Sequence, residues 1–130
     1  MSTRAQVRFA TREDGVSFSE HPEKIHAQFY KHSDGYPEGL GLDIAMSLVK
    51  YEKLNNWEIE PLHVKHADLE YIYYIWQHPM KDTWISIFAT KPFVDSSGEC
   101  IFVGKPEKLI TKYGSQLDES YYKLNTNNDG

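Results

Sequence analysis

An α+β domain is the fold class this sequence predicts: an antiparallel sheet of about five strands with two helices, in the order β-β-α-β-β-β-α. Two observations of pattern carry it. Short runs alternate at the period of two that a pleated strand requires. Two longer runs, after residues 40 and 105, repeat apolar residues at helical spacing. Size is the third observation, since 130 residues suffice for one hydrophobic core without staples. Residues 1–124 are therefore expected to form a single domain, and the polar run 125–130 a disordered tail.

The first strand is expected over residues 5–11, where Ala5, Val7 and Phe9 alternate with Gln6 and Arg8. Glu13, Asp14 and Gly15 read as a turn, and 15–24 as irregular. A second strand follows over 25–32, with Ile25, Ala27 and Phe29 facing one way and His26, Gln28, Tyr30 and His32 the other. These two strands are expected to pair antiparallel. Leu40, Ile44, Leu48 and Val49 then recur at helical spacing, with Tyr51 and Leu54 beyond, which places a helix over 40–54. Pro61 interrupts the apolar residues around it, and a short helix near Ala67, Asp68 and Leu69 would follow; helical spacing there would put His63 and His66 on one face. Residues 70–77, 83–90 and 99–103 are strands by composition and alternation. Turns separate them at 78–82 and at Asp95, Ser96, Ser97 and Gly98. Residues 104–107 then start the second helix, with Pro106 near its first position; its apolar stripe is Leu109, Ile110, Tyr113 and Leu117, with Gly114 as a residue that would shorten it.

Residues 30–41, between the second strand and the first helix, are unlike the rest. Asp34-Gly35 signals a turn, and Pro37 fixes its own φ while pushing Tyr36 towards an extended conformation. Gly39 and Gly41 free the backbone just before the helix. A shaped loop that also carries His32, Asp34, Tyr36 and Glu38 is a candidate binding site, although reversal of the chain between sheet and helix would use the same residues. Tyr30, His32, Asp34, Gly35, Tyr36, Pro37 and Gly39 resemble a Y-x-H-x-D-G-Y-P-x-G motif of small, largely uncharacterised phage and prokaryotic proteins. The stretch 99–107 is similar to the strand-into-helix ending of those chains. The resemblance implies a viral or mobile-element origin and supplies no activity.

Charge and cysteine usage bound the function class. With 19 acidic and 14 basic side chains the net charge is −5, which argues against binding duplex nucleic acid, where a concentrated basic surface is needed. An acidic surface suits a chain that docks on a basic site of another protein. One cysteine, Cys100, excludes an internal disulfide framework, and no apolar run is long enough for a membrane-spanning helix. A cytoplasmic location is expected, in the host cell if the chain is viral.

Both faces of the later strands are apolar or aromatic. Ile72, Tyr74 and Trp76 oppose Tyr71, Tyr73 and Ile75; Ile85 and Ile87 oppose Trp84 and Phe88; Ile101 and Val103 oppose Cys100 and Phe102. Two helices cover one face of such a sheet, so the second, with Tyr73, Trp84 and Phe102 assigned to it, calls for another cover. Segment 57–69, a ligand or a second subunit could supply it, and a homodimer is the expectation.

Residues of these types could serve four chemistries. His32 with Asp34, joined by His63 and His66, lacks any strong metal-binding signature, and neither a metal nor a cofactor is expected. Nucleophilic catalysis has no serine in an elbow context, and Cys100 reads as a buried hydrophobe. Gly39 and Gly41 open a helix, but Glu38 and Asp43 repel a phosphate there. Finally, Tyr30, Tyr36, Tyr71, Tyr73, Trp76 and Trp84 could stack on a nucleotide, with Arg4, Arg8 or Arg12 meeting its phosphate. No catalytic residue is assigned. The expected function is that of a non-catalytic binding protein that inhibits a host defence factor by docking, with Tyr30, His32, Asp34, Tyr36, Glu38 and Trp84 as its binding residues. A sponge for a nucleotide-type signalling ligand and a small metal-dependent hydrolase are the alternatives.

Overall fold

Residues 3–12, 17–22, 24–50, 58–62, 64–78 and 82–114 are described by the structure, a computed structural model. The strands are β1 (Ala5–Thr11), β2 (Lys24–Lys31), β3 (Glu58–Glu60), β4 (Tyr71–Gln77), β5 (Thr83–Lys91) and β6 (Asp95–Gly104). The helices are α1 (Leu42–Lys50), entered through a π-helical turn at Pro37–Gly41, and α2 (Pro106–Gly114). The α+β class holds. One six-stranded sheet runs in the order β3-β2-β1-β4-β5-β6.

The sheet is mixed, which corrects the all-antiparallel expectation of five strands. β1 pairs antiparallel with β2 but parallel with β4, in the register Val7 to Tyr73. The extra strand is β3, three residues on an edge, which pairs Ile59 with Phe29. From that edge the chain crosses back over β2 and β1 and enters β4 beside β1. Buried Gln6 and Gln28 make this crossing tolerable: both donate to the Val64 carbonyl, at 2.8 and 3.1 Å, satisfying backbone that has no ladder of its own. The turn between β5 and β6 is also displaced. It lies at 92–94, and 95–98 belong to β6. Pro92 and a Phe93 at φ +64° follow the type II turn pattern, closed by Val94 N–H to the Lys91 carbonyl at 2.9 Å. No helix forms at 67–69, where the chain makes a turn at Ala67 and Asp68. The expected turn at 13–15, the helical stretch 51–54, His63, Leu117 and the tail lie outside the described residues.

The helices pack on one face, over Val7, Tyr73, Ile75, Ile85 and Ile87. Leu40, Ile44 and Leu109 close that layer and are essentially sealed from water. Burial stabilises each such Leu or Ile by roughly 1.5–3 kcal/mol. Among the described residues no helix is long and apolar enough to cross a membrane.

Two bulges change the faces that simple alternation assigns. Phe88 pairs with Cys100 while Ile87 pairs with Phe102, so Ile101 is the extra residue. The bulge separates Phe102, under the helices, from Cys100, which joins Val103 and Trp84 on the opposite side; Tyr73, on the unbulged β4, also lies under the helices, not on the second face. A second bulge, at His26, moves Ile25 to that side as well. This second face is covered by the chain itself. Segments 17–22 and 64–69 lie over it, and Tyr74 and Trp76 are 1% and 2% exposed. The premise of an uncovered aromatic layer, from which a homodimer was expected, is therefore not met.

Candidate functional site

Beneath those covering segments lies a cavity of about 290 Å³. Gln6 and Arg8 of β1, with Ile72 and Tyr74 of β4, form its floor; His21, Pro22, Lys65 and His66 form its roof. β1 sends these side chains to the second face because they are its even-numbered residues, and the parallel pairing with β4 sets Arg8 opposite Tyr74.

Arg8 is the centre of the polar network. Its Nη1 donates to the Tyr74 hydroxyl at 2.7 Å and its Nη2 to Gln6 Oε1 at 2.9 Å. The Tyr74 oxygen also lies 2.7 Å from His21 Nδ1. Arg8 is a donor only, so the phenol's single proton is free to go to His21, which then accepts on Nδ1 and carries its own proton on Nε2. His21 stacks on Phe88 with ring centroids 3.7 Å apart. Burial pulls its pKa down, with Arg8 and Arg12 adding to the pull and the Ser97 backbone opposing it. Desolvation also raises the Tyr74 phenol, against the pull of the Arg8 guanidinium.

The charges do not balance locally. Glu60 is engaged by His66 Nε2 at 2.8 Å and by Gln6 Nε2 at 3.2 Å. Arg4 pairs with Asp68 at 3.1 Å. Among the described residues Arg8 has no carboxylate partner, and its Nε is sealed from solvent without a hydrogen bond. A partly buried guanidinium held this way is a group that an anion would compensate.

The residues proposed from sequence do not converge on one site. Tyr30 lies beside the cavity, buried, with its ring stacked on His66 at 4.1 Å. His32 meets Tyr30 edge-on at 4.6 Å but turns outward to Glu58, 2.9 Å away on the exposed β3 edge. Asp34 and Tyr36 sit together on the exposed loop, with Tyr36 Oη 3.4 Å from Asp34 Oδ1 and Asp34 at φ +58°. That loop is anchored in the core, where the buried Tyr73 hydroxyl donates to the Gly35 carbonyl at 2.6 Å. Glu38 is half-buried near Tyr71, Tyr73 and Tyr113, whose phenols are raised by burial first, with the carboxylate adding to the shift. Trp84 is far from all of these. It sits four residues along the strands and three strands across from Tyr30, roughly 20 Å by sheet spacings.

Trp84 belongs instead to an aromatic cluster at the other end of the second face. It stacks on His78 at 4.3 Å and contacts Trp76 at 5.7 Å and Phe18 at 5.6 Å. The Arg12 guanidinium lies 4.4 Å from the Trp76 ring centre. Its Nη1 holds the Ser17 and Glu20 carbonyls at 2.7 and 2.8 Å.

Residues Gln6, His21, Lys65 and Ser97 were not legible as site residues. The one available signal was Gln6 and Arg8, polar side chains on the parity that faces aromatic residues of β4. His21 and Lys65 lie on irregular segments and gave none. Among the described residues no group of three His, Cys, Asp or Glu side chains could hold a metal ion. No family model, curated protein or solved structure matches the chain. Fold and site together define an α+β chain with a cationic, half-roofed cavity on the helix-free face of its sheet.

Proposed function

We propose that the protein is a non-catalytic binding protein that captures a small anionic ligand of nucleotide type in the cavity over β1 and β4. The single observation supporting this is the half-buried Arg8, with Lys65, His21 and His66 around it and no carboxylate of its own among the described residues. Ile25, Leu69 and Ile72 offer the apolar wall that such pockets combine with a few convergent polar groups. A viral or mobile-element protein of this kind would act as a sponge for a host signalling molecule. Calorimetric titration with a nucleoside monophosphate and with inorganic phosphate tests it. Arg8→Gln should weaken both ligands by at least about ten-fold, the order of a charge-assisted hydrogen bond. Equal affinity in a folded Arg8→Gln protein, or no binding by the parent, rules the site out.

Docking on a host factor is favoured by a different observation. Phe93 and Val94, 79% and 83% exposed, project from a turn in which Phe93 holds an unfavourable positive φ. Backbone strain combined with exposed apolar side chains is common where a loop meets a partner. Co-purification of a host protein that disappears with Val94→Ser would support this function, and its persistence would exclude this turn.

A further inference from the structure

The aromatic cluster at the Arg12 end contains one ring that does not belong to the sheet. Trp76 and Trp84 are strand residues, paired across β4 and β5, and His78 follows β4 directly. Phe18 comes from the covering segment 17–22. It reaches Trp76, His78 and Trp84 with centroid distances of 5.4, 5.2 and 5.6 Å, yet remains 38% exposed. Arg12 adds hydrogen-bonding capacity beside this ring, because its Nε and Nη2 are buried without partners. The indole N–H of Trp84 is likewise sealed and unpartnered.

We infer that Phe18 is an internal stand-in for the aromatic ring of the ligand, and that ligand binding displaces it. The inference rests on the anion-binding function proposed above and adds a ring subsite to it. Phe18 and His21 are on the same segment, three residues apart, a span of at most about 10 Å. His21 edges a cavity already open on one side, so an anion enters with the segment in place, whereas the aromatic cluster is uncovered only when Phe18 moves. The matching ligand joins a planar ring to an anionic group, as a nucleoside monophosphate does. Its ring would take the place of Phe18 against Trp76 and Trp84, with the free Arg12 and Trp84 N–H groups facing the ring's acceptors. The Arg12 hold on Ser17 and Glu20 keeps the segment closed without ligand.

The test compares two probes, inorganic phosphate and a nucleoside monophosphate, on the parent chain, Phe18→Ala and Phe18→Leu. Removing the competing ring should tighten the nucleotide about ten-fold in Phe18→Ala, because the closed state no longer has to be opened against a ring–ring contact. Phosphate affinity should stay within about two-fold, and Phe18→Leu should fall between. Nucleotide, but not phosphate, should quench tryptophan fluorescence. Unchanged or weaker nucleotide binding in both variants, with phosphate binding intact, overturns the stand-in role and leaves the anion site standing. Failure of both probes on the parent chain overturns the anion site and this inference with it.

Discussion

Replacing Tyr74 by Phe removes one oxygen from the middle of the second face and isolates two groups at once. Arg8 Nη1 and His21 Nδ1 each lie 2.7 Å from that hydroxyl, and Tyr74 is 1% exposed. A bond to a charged donor contributes about 1.5–3 kcal/mol and a neutral one about 0.5–1.5. Arg8 is only partly buried and keeps its bond to Gln6, which argues for the lower half of the first range. The expected loss is therefore about 2–3 kcal/mol, measured as urea unfolding by far-ultraviolet circular dichroism. A double-mutant cycle with Arg8→Gln should return a coupling of about 1–2 kcal/mol, since the two groups touch directly. A single-variant loss below about 0.5 kcal/mol, or a coupling indistinguishable from zero, would show that this network does not organise the cavity.

Three further outcomes are expected. Gly35→Ala places a methyl carbon 2.7 Å from Ala5 Cβ and 2.9 Å from the Thr3 carbonyl, both on β1 or its entry, and should cost about 1–3 kcal/mol in chemical denaturation. Phe93→Asn, which tolerates positive φ, should relieve the turn and stabilise the fold by about 0.5–1 kcal/mol in the same assay, with loss of stability as the contrary result. His21 is held below its ordinary value, chiefly by burial, so the unfolded chain binds the proton more readily. Its contribution to stability is complete above pH about 6.5 and is lost as pH falls below that value; His21→Gln should flatten this part of the profile.

Much of the sheet was legible because local pattern determines it. The aromatic runs that became β4 and β5 could hardly be anything else, and the stretch 104–107, with Pro106 near the first helical position, marked where α2 begins. Strand order was not legible, because pairing depends on which distant runs meet. β3 shows this well: three residues with Ile59 largely exposed have no periodic signal and exist as a strand through their bonds to β2. The bulges at His26 and Ile101 were equally hidden, and each moved a set of side chains to the opposite face. Of the candidate site, the central loop was recognisable as shaped backbone, and Gly35 is indeed wedged against β1. Its residues nonetheless spread over the exposed loop, the β3 edge and the helix side.

By itself the sequence determined an α+β chain of net charge −5, a doubly apolar sheet and one conformationally restricted loop. Tertiary structure decided what covers the second face, since only folding brings segments 17–22 and 64–69 over β1 and β4. It also decided that Arg8, Tyr74 and His21 share a cavity. A side chain's chemistry is written in the sequence, but whether a charge finds a compensating partner depends on what the fold places beside it.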